Sequence, residues 1–193
     1  MRCCLLLGIL FASTVQAQTA VERVELTPFA GYLFGGTFIT FTPPPANIPS
    51  LKIADHFAFG FRAGYNLTPS LEPEIQWSRA ETNLTSRPAP DPLTLDFLIA
   101  GLTYNFSSAG FRPYLSLGLG VGLFDKAFLK TQTLFTLSAA VGAKYLFTRH
   151  VGVRLEFRGY GSQRTDRIKA ECPSCPNNWI FNGDLTGGLV VAF

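Results

Sequence analysis

The chain has 193 residues, 47% hydrophobic, 13% aromatic and only 15% charged, with 18 Gly, 18 Phe and 13 Pro. That length favours one domain with room for a core, and the apolar content excludes disorder. Charge falls below the roughly 25% of an average soluble domain, yet no apolar run reaches the ~18 residues of a membrane-spanning helix, and a formal net charge of +3 is too small for a nucleic-acid surface.

Residues 1–17 read as a cleavable secretory signal peptide. Arg2 precedes an apolar run from Cys3 to Ala12, and Val15-Gln16-Ala17 offers small residues before a cut. Residues 18–193 then form the mature domain, near +2 once Arg2 is removed from the +3, with Cys172 and Cys175 as its thiols.

Most of the mature chain alternates with period two. Phe57, Phe59, Phe61, Ala63 and Tyr65 oppose His56, Ala58, Gly60, Arg62 and Gly64, and Leu71, Ile75 and Trp77 oppose Glu72, Glu74 and Gln76. The same design runs through Leu115 to Leu123, Phe135 to Phe147, Val151 to Phe157 and Leu185 to Phe193. Leu26 to Gly35 and Leu95 to Phe106 are strand-like but apolar on both faces, a pattern that suggests bulges there. The total is eight strands without a helix, an all-β antiparallel up-and-down barrel.

The residues on the two faces decide which solvent the wall meets. The non-apolar face is rich in Gly, Ala, Ser and Thr with a few charges, which fits a narrow interior better than a solvated exterior. The other face carries full-sized apolar side chains, too bulky for that interior, so it faces lipid and the barrel is transmembrane rather than a soluble lipid carrier. Inverting the strand at Val151 to Phe157 would set Arg154 and Arg158 against hydrocarbon at about 2–4 kcal/mol each near the midplane.

Connections alternate short and long. Leu67–Ser70, Ser107–Gly110 and Thr148–His150 are tight and belong to the periplasmic side; Gly35–Asp55, Glu81–Pro92 and Ser162–Asn178 are long and belong outside, with a shorter outer loop at Asp125–Lys130. Pro43–Pro45 and Pro88, Pro90 and Pro92 are expected to keep the first two outer loops out of the sheet. The last carries Arg164, Asp166, Arg167, Lys169 and Glu171 toward the medium. Gly101-x-x-Tyr104-x-Phe106, Gly142-x-x-Tyr145-x-Phe147 and Gly188-x-x-Val191-x-Phe193 end three inward-running strands and predict an inner aromatic girdle, with Trp77, Phe124 and Trp179 in an outer one.

A signal peptide, eight alternating strands and a terminal Gly188-Leu189-Val190-Val191-Ala192-Phe193 resemble the small outer-membrane β-barrel family that includes OmpA and OmpX, over residues 21–193. The resemblance implies insertion in the outer membrane among its lipids and lipopolysaccharide, with Phe193 as the signal read by the barrel assembly machinery. It is architectural and carries over no functional residue.

The charged residues of the interior face are Arg62, Glu72, Glu74, Lys144, Arg154, Glu156, Arg158 and Asp184, whose signs balance, and in so confined a space they are expected to pair. Cys172-Pro173-Ser174-Cys175 has redox-dithiol spacing without a strand-to-helix setting, so in an exported chain a disulfide is expected. His56 and His150 fall at opposite rims and cannot share a metal, and neither a G-x-S-x-G nor a Ser-His-acid cluster can be assembled. No catalytic, cofactor or metal residue is assigned. The leading expectation is a monomeric non-enzymatic barrel with a closed polar lumen, serving envelope integrity or surface contact. The alternatives are a lipid-modifying enzyme of deacylase or acyltransferase type, for which His56 at the outer rim is the argument, and a narrow pore.

Overall fold

The computed structural model describes residues 22–39, 51–85, 91–126, 129–164 and 178–193. The signal segment, Pro43–Pro45, Pro88, Pro90, and Cys172 with Cys175 lie outside those residues, as do Asp166, Arg167, Lys169 and Glu171.

The strands in chain order are β1 (Val24–Phe34), β2 (Thr37–Ile39), β3 (Leu51–Ile53), β4 (His56–Tyr65), β5 (Leu71–Thr85), β6 (Asp91–Asn105), β7 (Phe111–Lys126), β8 (Leu129–Leu146), β9 (Val151–Gln163) and β10 (Trp179–Ala192). Each long strand pairs antiparallel with its sequence neighbours, and β1 pairs with β10, so the sheet closes. β2 continues the line of β1 after Gly35-Gly36 and pairs with β3, which pairs with the end of β5. These two short strands raise the wall above β4, and the barrel has eight staves.

Alternation builds the wall as the residues dictate. Along β9, Val153, Leu155 and Phe157 are exposed while Gly152, Arg154, Glu156, Arg158 and Ser162 are buried. The exposed apolar band on β4 runs from Phe57 to Tyr65; at ~3.4 Å per residue and a tilt near 40°, that is roughly 21 Å of height, close to the ~25 Å band of outer-membrane barrels. Tyr104 with Phe106 and Tyr145 with Phe147 form edge-to-face pairs at the end where the short turns lie, joined by exposed Phe193. At the other end Tyr32, Phe34, Phe57, Phe59, Trp77 and Phe181 make the opposite aromatic rim.

The three short turns share one device. Thr68 Oγ1 accepts from Ser70 N and Leu71 N, Thr148 Oγ1 accepts from His150 N and Val151 N, and Ser107 Oγ accepts from Ala109 N. A hydroxyl folded back onto its own turn satisfies amides that the ladder no longer reaches.

Four expectations are corrected. No bulge interrupts β1 or β6 against their neighbours; the register shifts fall between Thr37 and Ile39 and between Phe124 and Lys126. The sheet also reaches further outward than the loops suggested, through β2, β3 and the Asn83↔Pro92 pair. Pro92 is tolerated because it lies below the start of the β6–β7 ladder at Leu93, where only one neighbour pairs with it. Phe124 points into the barrel and is buried, so it belongs to no girdle. Arg164 continues the β9 ladder, its N donating to Asn178 O at 2.9 Å, and its side chain is buried instead of facing the medium.

Candidate functional site

The interior is two stacked layers. Toward the short turns it is ionic; toward the long loops it is a hydrophobic core of Leu33, Ile53, Ala58, Ala80, Leu93, Leu95, Phe97, Ile99, Phe124, Leu134 and Ile180, capped below by Tyr160. The expected polar lumen is therefore polar over only part of its height, the part toward the short turns. The apolar-on-both-faces reading of β6 has the same cause: Leu93, Leu95, Phe97 and Ile99 fill the interior while Leu98 and Leu102 face outward.

The ionic layer is centred on Glu156 of β9. Its Oε1 accepts from Arg62 Nη2 and Arg158 Nε, both at 2.8 Å, and its Oε2 from Arg154 Nη2 at 2.6 Å and the Tyr114 hydroxyl at 2.7 Å. Glu74 Oε2 accepts from Arg154 Nη1 at 2.5 Å and its Oε1 from Arg158 Nη2 at 3.3 Å. Arg62 completes its fork on Gln76 Oε1 and Thr186 Oγ1, and its guanidinium lies 3.8 Å from the Phe29 ring centroid. Three guanidiniums around two carboxylates, with neutral acceptors on the remaining donors, satisfy the condition under which buried charge is tolerated.

A second cluster lies nearer the turns. Lys144 Nζ donates to Glu25 Oε2 and Glu72 Oε2, Asn66 Nδ2 donates to Glu25 Oε1 at 2.9 Å, and Asn105 Nδ2 donates weakly to Glu72 Oε2 at 3.4 Å. On the upper side, Gln76 Nε2 donates to Tyr160 Oη, whose hydroxyl donates to Asp184 Oδ2, each at 2.8 Å. Tyr160 stacks on Phe97 with centroids 4.3 Å apart and so joins the ionic layer to the apolar one.

All eight sequence-predicted interior charges are thus placed inside and buried. Arg62, Glu74, Arg154, Glu156 and Arg158 come together directly; Glu72 and Lys144 form the lower cluster; Asp184 joins through Tyr160. Sequence reasoning missed Glu25, hidden in a β1 segment that looked apolar on both faces, and Arg112, whose neighbours Phe111 and Pro113 masked its period. It also missed Tyr114, because a tyrosine at an inward position reads as filler until its hydroxyl partner is known. Arg79 and Asp96 were missed as well: they sit on the outer wall, Nε to Oδ1 and Nη2 to Oδ2 both 2.8 Å, and close the apolar band at the loop end.

Gly142 explains one repeated glycine. A Cβ there would come 2.3 Å from the Tyr114 hydroxyl and 2.5 Å from Leu155 O, so only glycine leaves the tyrosine room to reach Glu156. His56 is exposed at the loop end and His150 lies in a short turn, its Nδ1 3.0 Å from Ala192 O. The two do not meet. Among the described residues no group of three His, Cys, Asp or Glu could hold a metal ion.

A closed antiparallel barrel with a lipid-facing apolar band, two aromatic rims and a charged interior defines an outer-membrane β-barrel protein. The chain belongs to the outer membrane protein beta-barrel domain family, whose model matches residues 3–193, and its location is the outer membrane. Its fold is similar to that of Neisserial surface protein A (NspA), at 18% identity and a TM-score of 0.63 over 88% of this chain and 97% of that one. It is also similar to the outer membrane protein OprG of Pseudomonas aeruginosa, at 12% and 0.57 over 89% and 97%, and to the N-terminal β-barrel domain of OprF from the same organism, at 17% and 0.50 over 88% and 97%. At such identities the likeness is one of fold. No curated protein sequence matches the chain.

Proposed function

We propose that the protein is a non-enzymatic, sealed barrel that contributes to envelope integrity or surface contact through the loops it carries outward. The observation that supports this reading is the filling of the interior by two unlike layers. An ion entering from the outer side meets Leu93, Leu95, Phe97, Phe124 and Leu134, all buried to 2% exposure or less, and would have to shed much of its water against apolar side chains. From the turn side it meets Glu156 and Glu74 already saturated by Arg62, Arg154 and Arg158.

Single-channel recording in planar bilayers tests the seal. The expected result is a flat baseline, and steady reproducible conductance steps would establish a pore instead. The enzyme reading rests on His56 at the outer rim, which is exposed at the start of β4. Lipid A mass profiles of cells with and without the protein separate that reading. Identical profiles are expected, and loss or gain of an acyl chain would overturn the non-enzymatic proposal.

A further inference from the structure

At the periplasmic mouth a cleft of about 230 Å³ opens between the turns that precede β7 and β9, lined by Glu22, Glu25, Ser108, Arg112, Thr148 and Arg149 among others. Its inner wall is Arg112, whose side chain is only 9% exposed. A guanidinium carries five N–H donors. Here Nε donates to Ala109 O at 3.0 Å, and Nη1 comes no nearer than 4.0 Å to Glu25 Oε1, beyond hydrogen-bond range. Glu25 is committed elsewhere, to Lys144 and Asn66. The terminal nitrogens of this largely buried arginine thus have no hydrogen-bond acceptor closer than that long ion pair with Glu25 among the described residues, and the space beside them is the cleft.

The lining carries further donors. Arg149 stands on the exposed turn at the rim. Thr148 Oγ1 already accepts from His150 N and Val151 N, which leaves its hydroxyl proton to donate. Glu22, 3.9 Å from His150, and Glu25 share the lining; a second negative charge on the ligand would face both carboxylates, so a singly charged group is favoured over a dianion.

We propose that this cleft binds a singly charged oxyanion at the periplasmic face, with Arg112 and Arg149 as its two cationic contacts. The chemistry is that of a carboxylate or a phosphodiester, and two sources present it there: the free carboxylate of a soluble periplasmic peptide and the headgroup of an inner-leaflet phospholipid. Paired guanidiniums recognise either group through fork-shaped charge-assisted hydrogen bonds. The site stands whether or not the lumen conducts.

The test uses the full mature protein in uncharged maltoside micelles, reading the arginine Nε–Hε NMR cross-peaks. Arg112→Lys assigns its peak by loss, and Arg149→Gln, in an exposed turn, assigns the other; should Arg112→Lys fail to fold, the Arg149 peak reads the same titration. The probes are N-acetylglycine, its neutral amide, and phosphatidylglycerol added to the micelles. A saturable shift with N-acetylglycine or with phosphatidylglycerol, and none with the amide, is expected. Response to the first alone assigns a soluble carboxylate, and to the second alone a lipid headgroup. Arg149→Gln is expected to weaken the Kd by about tenfold, the loss of one charge-assisted contact. No saturable shift with any probe, an equal shift with the amide, or an unchanged Kd in Arg149→Gln would overturn the site.

Discussion

Glu156 receives four donors from four residues, on strands β4, β7 and β9. Glu156→Ala would leave Arg154 and Arg158 sharing Glu74 and Arg62 with no carboxylate in ion-pair reach, and a cost of about 3–5 kcal/mol is expected from other buried pairs broken on one side. Urea unfolding in micelles reads it as a lower midpoint; an unchanged midpoint would mean that lumen water replaces the carboxylate at no cost. Glycines make a sharper contrast. Gly142→Ala must push Tyr114 off Glu156 and is expected to cost about 1–3 kcal/mol. Gly159→Ala meets only Ala139 O at 3.9 Å on the lipid-facing wall and is expected to leave the midpoint where it was. Equal effects at the two positions would contradict the packing of Tyr114 over Gly142.

At the scale of an element, β6 carries the seal. It sends Leu93, Leu95, Phe97 and Ile99 inward, against Phe124 of the adjacent β7, Leu134 of β8 and Tyr160 of β9. Leu95→Asp would bury a carboxylate among Leu33, Phe97, Phe124 and Leu134. The variant is expected to assemble in lower yield and, where assembled, to admit water from the loop side, seen as faster hydrogen exchange of β6 amides. Wild-type yield with wild-type exchange would show that the upper layer is not a packed seal. The opposite face of the same strand sets a limit on the membrane: Asp96 is compatible with it only because Arg79 of β5 neutralises it through two hydrogen bonds at the edge of the band.

For the whole molecule, closure couples first strand to last. Val24 N donates to Phe193 O at 3.1 Å and Phe193 N to Val24 O at 2.9 Å, so the final residue is part of the seam and of the inner aromatic rim. Deleting Phe193 removes both, and slower assembly is expected, measured as the fraction of protein in outer-membrane fractions that migrates differently on a gel before and after heating. Because a lipid-shielded ladder resists dissolution until heated, the intact protein is expected to show that shift. An equal heat-shifted fraction with and without Phe193 would remove the residue from assembly.

Period two alone carries much of this protein. Any strand that alternates large apolar with small or charged residues has two faces, and the bulk of Leu117, Phe135, Leu155 and their neighbours could not fit inside an eight-stave cylinder, so the sequence by itself determined the barrel, its lipid face and the inward direction of Arg62, Lys144, Arg154 and Glu156. Alternation is local, and for that reason it is silent on height and on partners across the barrel. Only the tertiary structure decided that the inward residues of β6 lie level with Leu33, Phe124 and Leu134 to make an apolar layer, and that Glu25, Tyr114 and Gln76 join the charges below. Those contacts depend on the stagger between staves: Arg62 meets Glu156 from 94 residues away and Lys144 meets Glu25 from 119, and that stagger is a property of the closed sheet that no single strand contains.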